Sequence, residues 1–232
     1  MRTFASALAL TAALGLAAPA SAHEAGDWLV RFGGSMVDPK SDNGSLDLSA
    51  VPGFGVQDIT VDDQIGVTFN FTYMYTANLG IELLAALPYE HDIMVEGLPG
   101  TAATVTHLPP TLSLQYHFLP SGTFQPYVGL GLNFTWFTDE SKEEGLVAAD
   151  AALTEILGVP VTTGIDVDST SFGLAAQIGF DYIINERWFL NADVRWIDIS
   201  TKATLIVNGD NFQTADVDID PIVYGIHVGY RF

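Results

Sequence analysis

The stretch "QIGVTFNFTYMYT" (residues 64–76) places Ile65, Val67, Phe69, Phe71, Tyr73 and Tyr75 at every second position. Gln64, Gly66, Thr68, Asn70, Thr72, Met74 and Thr76 lie between them. A period of two over that length is a β-strand whose two faces meet unlike surroundings. The same alternation returns at 27–37, 79–88, 107–118, 126–137, 171–183, 188–200 and 217–232. Each segment is longer than the ~5–6 residues usual for a strand, and together they predict an all-β chain.

The connections alternate as well. Residues 38–62, 89–106, 138–170 and 201–216 are long and acidic, with Asp, Gly and Pro throughout, whereas 76–79, 119–125 and 184–187 are short. Long links at one end and tight turns at the other predict an eight-stranded antiparallel up-and-down barrel with four long extracellular loops. No linker or repeat divides the chain, so 23–232 reads as one domain.

Hydrophobic residues make up 48% of the chain and charged residues 16%, against a usual charged share of about 25%. The balance of 28 acidic to 8 basic residues, a formal charge of -20, excludes nucleic acid as a partner, because phosphates need Lys and Arg. The absence of cysteine removes disulfides and thiolate metal sites. Arg2, the apolar run "FASALALTAALGLAAP" and Ala20-Ser21-Ala22 read as a secretory signal peptide over 1–22, cut before His23. Beyond it, no run approaches the ~18 apolar residues of a spanning helix.

The second strand face decides between a soluble barrel and a membrane one. It carries mainly Gly, Ser, Thr, Asn, Gln and Ala, with few charges. A face meeting bulk water would carry more Lys, Glu and Asp, while a narrow barrel interior takes small residues and a few paired charges. Aromatics gather near strand ends, among them Trp28, Tyr75, Tyr116, Phe118, Trp136, Tyr182, Trp188 and Trp196. Such girdles mark the two membrane interfaces. The apolar face therefore meets lipid, and the last strand must close on the first, since open edges are not tolerated in hydrocarbon. Its outward row stays apolar to Tyr230 and Phe232, an ending that resembles the signal by which barrel-assembly machinery recognises outer-membrane barrels.

Five segments in order, "HLPPTLSLQYHF", "FQPYVGLGLNFTWF", "SFGLAAQIGFDY", "WFLNADVRWIDIST" and "DPIVYGIHVGYRF", resemble the OmpW family of outer-membrane proteins, which includes AlkL-type proteins of alkane-using bacteria. The resemblance covers Gly26 to Phe232. It implies a Gram-negative outer-membrane location and passive passage of small hydrophobic molecules.

With the N-terminus periplasmic, the inward row of the periplasmic half carries Arg31, Glu82, Gln115, His117, Asp181, Asn191, Asp193 and Arg231. The outer half carries Leu84, Pro109, Phe137, Ile197, Ile199 and Val223. This predicts a greasy upper pocket over a polar, ion-paired floor; ordinary filling of a narrow barrel gives the same pattern. Pro109-Pro110, opposite Pro88, withhold ladder donors and mark a seam where the wall opens sideways. The bland alternative is a strand that starts after Pro110.

Other chemistry is weaker. His107 and His117 lie ten residues apart on one strand, ~33 Å, too far to share an ion. His91-Asp92 with Ser169 or Ser171 lacks any hydrolase motif, so neither an enzyme nor a cofactor is expected. "DVDST" (166–170) and "DVDID" (216–220) lack the remainder of a calcium loop, and no metal is assigned. Residues 142–158 place Leu146, Ala149, Leu153, Ile156 and Leu157 at helical spacing, which reads as a lid or as a cover for the rim. The expected function is passive uptake of small apolar solutes across the lipopolysaccharide-bearing outer membrane, with release into lipid. The alternatives are a filled structural or adhesive barrel displaying acidic loops, and a narrow ion-conducting pore.

Overall fold

The computed structural model describes residues 23–40, 42–49, 51 and 55–232; the expected signal peptide, 1–22, lies outside the described residues. The chain rises along β1 (Trp28–Asp38), forms β2 (Ser45–Asp47) and β3 (Val56–Val61), and descends along β4 (Gln64–Met74). β5 (Leu79–Ala86) runs on into β6 (Tyr89–Val95); β7 (Ala103–Leu108) returns through Pro109-Pro110 into β8 (Thr111–His117). The long β9 (Phe124–Lys142) leads to α1 (Glu144–Leu157), β10 (Thr163–Val167) and β11 (Thr170–Ile183). β12 (Trp188–Ile197), β13 (Ser200–Val207), β14 (Asp210–Asp218) and β15 (Ile222–Arg231) complete the order.

Eight strands close a ring in the order β1, β4, β5, β8, β9, β11, β12, β15, every neighbour antiparallel. Closure is made by β1 against β15, from Leu29↔Arg231 to Asp38↔Ile222. The Phe232 amide then donates to the Trp28 carbonyl at 2.9 Å, so pairing reaches the last residue. This is the all-β barrel that the alternation predicts. Ile65, Leu130 and Ile226 are among the most exposed of an apolar outer face, with Trp28, Tyr75, Phe118 and Trp188 at one end and Trp136 and Trp196 at the other.

Above the wall, the segments expected as loops hold short strands. β6 and β7 pair with each other, β3 pairs with β6, and β10, β13 and β14 form a separate sheet. The β13–β14 hairpin turns at Asn208-Gly209 with φ of 53° and 89°, the left-handed pair a tight hairpin demands. α1 starts close against the 99–102 turn: the Gly145 amide donates to the Thr101 carbonyl at 2.8 Å. A Cβ on Gly145 would meet backbone there at 3.0 Å. The helix ends at Gly158, φ 68°, whose amide caps the Thr154 carbonyl.

Candidate functional site: the two-tiered lumen

Inward parity brings charged residues of several strands to one level near the periplasmic end. Arg31 on β1 donates to both Asp181 oxygens (3.1 and 2.8 Å), to Thr72 Oγ1 (2.7 Å) and to Glu82 (3.2 Å). Arg195 on β12 holds both Asp193 oxygens (2.9 and 3.3 Å) and the other oxygen of Glu82 (2.8 Å). Glu82 thus bridges two guanidiniums and also accepts from Gln177 (3.1 Å). Arg31, Glu82 and Asp181 have no solvent exposure. Asn191 donates to Asp181 and to the Tyr127 hydroxyl, and His227 bonds Asn191 and Thr68. An eight-stranded interior is just wide enough for such side chains, and this tier closes it.

Gln115, His117 and Asp193 are buried in this floor as their parity predicts. Arg231 is not part of it: it lies at the periplasmic rim, 3.6 Å from Asp27, because β15 reaches the end of the wall there. Arg195 takes the second cation's place. It shares the parity of Asn191 and Asp193, a signal sufficient to find it.

The upper tier is apolar. Phe137, Ile197, Ile199 and Val223 pack in one buried cluster with Val37, Tyr89 and Val217, and Leu84 and Pro109 are buried near it. Tyr89 and His91 fall in a segment read as loop. In the structure the Tyr89 hydroxyl lies 2.6 Å from Ser35 Oγ, and its ring stacks on His107, which stacks on His91. The ring fits because residue 66 is glycine; a Cβ there would come within 2.3 Å of it. Higher still, a partly open cavity of about 150 Å³ is lined by Leu46, Ile93, Leu146, Leu153, Phe212 and Val217, among others, with α1 along one side. Of the five apolar helix positions, Leu146, Ala149, Leu153 and Leu157 line it, and Ile156 is exposed. A smaller void of about 20 Å³ lies against His91, His107 and Phe137 and shares Ile93, Ala203 and Val217 with the lining of this cavity.

The seam lies at the same height. Leu84↔Thr111 is the last β5–β8 pair, and pairing resumes at Tyr89↔His107 with the register moved by one residue. Pro109-Pro110 occupies the gap, and Pro88 faces it from an exposed position. The break is one-sided: Phe134 N–H still donates to the Pro110 carbonyl (3.0 Å), and Leu87 N–H to Val67 (3.0 Å).

The remaining sequence candidates have structural duties. His91 Nδ1 bonds the Asp62 carbonyl (2.6 Å), and Ser171 Oγ accepts from the Ser200 amide (3.1 Å). Lys202 pairs with Asp216, and Lys40 with Asp218 and Asp220 (3.3 and 3.2 Å), so lysines hold the "DVDID" carboxylates. His107 and His117 sit in separate clusters, the first with His91 and Phe137, the second with Tyr127 and His23.

The sequence profile of the OmpW family matches residues 24–232. Outer membrane protein W of Escherichia coli is 40% identical over 232 residues, covering 97% of each chain. Outer membrane protein AlkL of Ectopseudomonas oleovorans is 25% identical over 221 residues, 93% of this chain and 86% of that one. The crystal structure of OprG from Pseudomonas aeruginosa superposes with a TM-score of 0.76 at 37% identity, covering 91% of this chain and 98% of the other.

Proposed function

The chain belongs to the OmpW family of outer-membrane barrels, which are non-enzymatic, and from that premise we propose that it admits small apolar molecules passively. The solute enters the cavity beside α1, descends past Tyr89 to the level of Leu84, Phe137, Ile197, Ile199 and Val223, and leaves sideways at the Pro88/Pro109-Pro110 seam. The floor of Arg31, Glu82, Asp181, Asp193 and Arg195 blocks a straight path to the periplasm. The observation that carries this reading is an apolar cavity of about 150 Å³ stacked, with an apolar tier between, over a sealed ionic floor. An apolar void of that order accommodates a benzene-sized molecule. Its relation to AlkL-type proteins supports the same solute class.

The test is uptake of toluene by proteoliposomes. Ala149→Trp should fill the cavity, and Pro109→Val with Pro110→Thr should extend the ladder across the seam. Each should cut uptake several-fold while the heat-modifiable gel shift of a folded barrel is retained. Unchanged uptake in both favours the filled structural barrel, a reading supported by the full burial of the floor. A narrow ion pore is disfavoured, because Glu82 and its two arginines occupy the path an ion would need.

Two further steps belong to this reading: removal of residues 1–22 before the barrel folds, and recognition of Tyr230 and Phe232 by the assembly machinery. Phe232 is exposed and stacks edge-on against Tyr230, 4.6 Å between ring centroids. Deleting Phe232 should sharply lower the amount in the outer membrane while export to the periplasm continues, as read by fractionation. Wild-type levels of the truncated chain would refute that recognition step.

A further inference from the structure

At the periplasmic side of the ionic tier, His23 meets two residues of that floor, His117 and Asp181, the three coming from separate parts of the chain. Each offers one ligand atom, and these atoms all lie within 4.8 Å of one another. His23 Nε2 is 3.2 Å from Asp181 Oδ2, and the two imidazoles meet edge to face with centroids 5.4 Å apart. His23 is 1% exposed, His117 and Asp181 not at all. An independent sign points to a ligand. His117 Nε2 is held by Gln115 Oε1 (3.2 Å) and His23 Nε2 by Asp181, yet the Nδ1 atom of each ring is buried with no partner in the protein. A bare buried imidazole nitrogen is costly unless something binds it.

Among the described residues the side chains of three buried carboxylates, Glu82, Asp181 and Asp193, face those of two buried guanidiniums, Arg31 and Arg195, and the expected cleavage before His23 adds the α-ammonium of that residue to the balance. We infer that His23, His117 and Asp181 form a binding site for a divalent transition-metal ion that ties the N-terminal segment to the barrel wall. Two imidazoles and a carboxylate suit Zn²⁺, Cu²⁺ or Ni²⁺ rather than Ca²⁺ or Mg²⁺. Metal-ligand bonds near 2.1 Å set ligand atoms about 3.4 Å apart in a tetrahedron, so the trio contracts by at most about 1.4 Å. His23 lies outside the strands and can supply that movement; among the described residues its backbone nitrogen is held by the Pro120 carbonyl (3.0 Å). Asp181 Oδ1 meanwhile stays with Arg31 Nε (3.1 Å) and Asn191 (2.9 Å), while Oδ2, the oxygen facing His23, is shared with Arg31 Nη2 (2.8 Å), partners that orient a ligating carboxylate.

The experiment uses the mature protein purified from outer membranes in detergent and stripped with chelator. Calorimetry with Zn²⁺ should give one ion per chain. The Cu²⁺ form should show nitrogen hyperfine structure in its paramagnetic resonance spectrum, which reads the ligands without any substitution. His117→Phe and His23→Gln should each weaken Zn²⁺ binding by more than about tenfold, with the folded gel shift intact, while Asp216→Asn in the outer loops changes nothing. The assignment is overturned if the Cu²⁺ spectrum shows oxygen ligands alone. It is also overturned if both histidine variants bind as the wild type does, which would place the ion on the acidic loops.

Discussion

The floor and the roof of the lumen are built from the same inward parity and obey opposite physics. The floor is a closed network in which Glu82 serves two arginines and nearly every charge has a named partner. Buried ion pairs of this kind cost much when broken, whatever their net contribution when whole. The roof is apolar, sits partly outside the wall, and lines a partly open cavity of about 150 Å³. There a lost methylene forfeits packing alone, and a gained one takes space from a ligand. A barrel too narrow for a channel can therefore hold a sealed tier and a receptive one, provided they are stacked.

The largest expected effect tests the floor. Glu82→Leu strands Arg31 and Arg195 in a dry interior and should cost about 3–5 kcal/mol, read as a lowered urea midpoint of the folded gel band. Leu153→Ala in the roof should cost about 1 kcal/mol. Equal costs at the two sites would erase the contrast between tiers.

Next is the junction between them. Gly66→Ala drives a Cβ into the Tyr89 ring, and overpacking of this kind costs about 1–3 kcal/mol. The variant should also disturb the stack of Tyr89, His107 and His91, detectable as shifts in the histidine ring resonances. Undisturbed resonances would mean that the tiers are not joined through Tyr89.

The smallest effect lies at the outermost edge of the roof, where α1 is pinned. Asp150 pairs with Lys142 and accepts from the Thr163 hydroxyl (2.7 Å) and amide (2.6 Å). Burial alone would raise the Asp150 carboxyl, but the Lys142 and Thr163 bonds outweigh it and hold it below the usual range. With the folded value depressed, the anchor is fully present above the unfolded carboxyl value of ~3.9 and is lost as pH falls through the folded value. Amide exchange in α1 should be steady at neutral pH and quicken in acid. Asp150→Ala should remove that acid response and cost about 1 kcal/mol at neutral pH. A persistent acid response in the variant would locate the anchor elsewhere.

The wall was legible because lipid and lumen impose a period of two, and "QIGVTFNFTYMYT" or "PIVYGIHVGYRF" can satisfy that period in one way only. The strands above the membrane were hidden by acidic residues interspersed along them, although Ile93, Leu205, Phe212 and Val217 on these strands line the roof cavity. Asn208-Gly209 was their one plain signal. In the site, parity pointed to Arg31, Glu82, His117, Asp181 and Asp193, but it put Arg231 in the place that Arg195, of the same parity as Asp193, holds. It gave no warning of Tyr89, which enters the lumen from beyond a strand break, or of His23, which precedes the first strand.

By itself, the sequence determined which residues face inward, because side-chain alternation is a local property of extended backbone. It also set the two chemistries at roughly their proper heights, through the order of residues along each strand. Only the tertiary structure decided who meets whom. Asp181 reaches Arg31 across 150 residues and His23 across 158. Those encounters depend on the register of eight strands and on ring closure, which fix position around the barrel as well as height along it. The one-residue change of register between Leu84↔Thr111 and Tyr89↔His107, beside Pro109-Pro110, likewise belongs to the pairing of two strands and to neither alone.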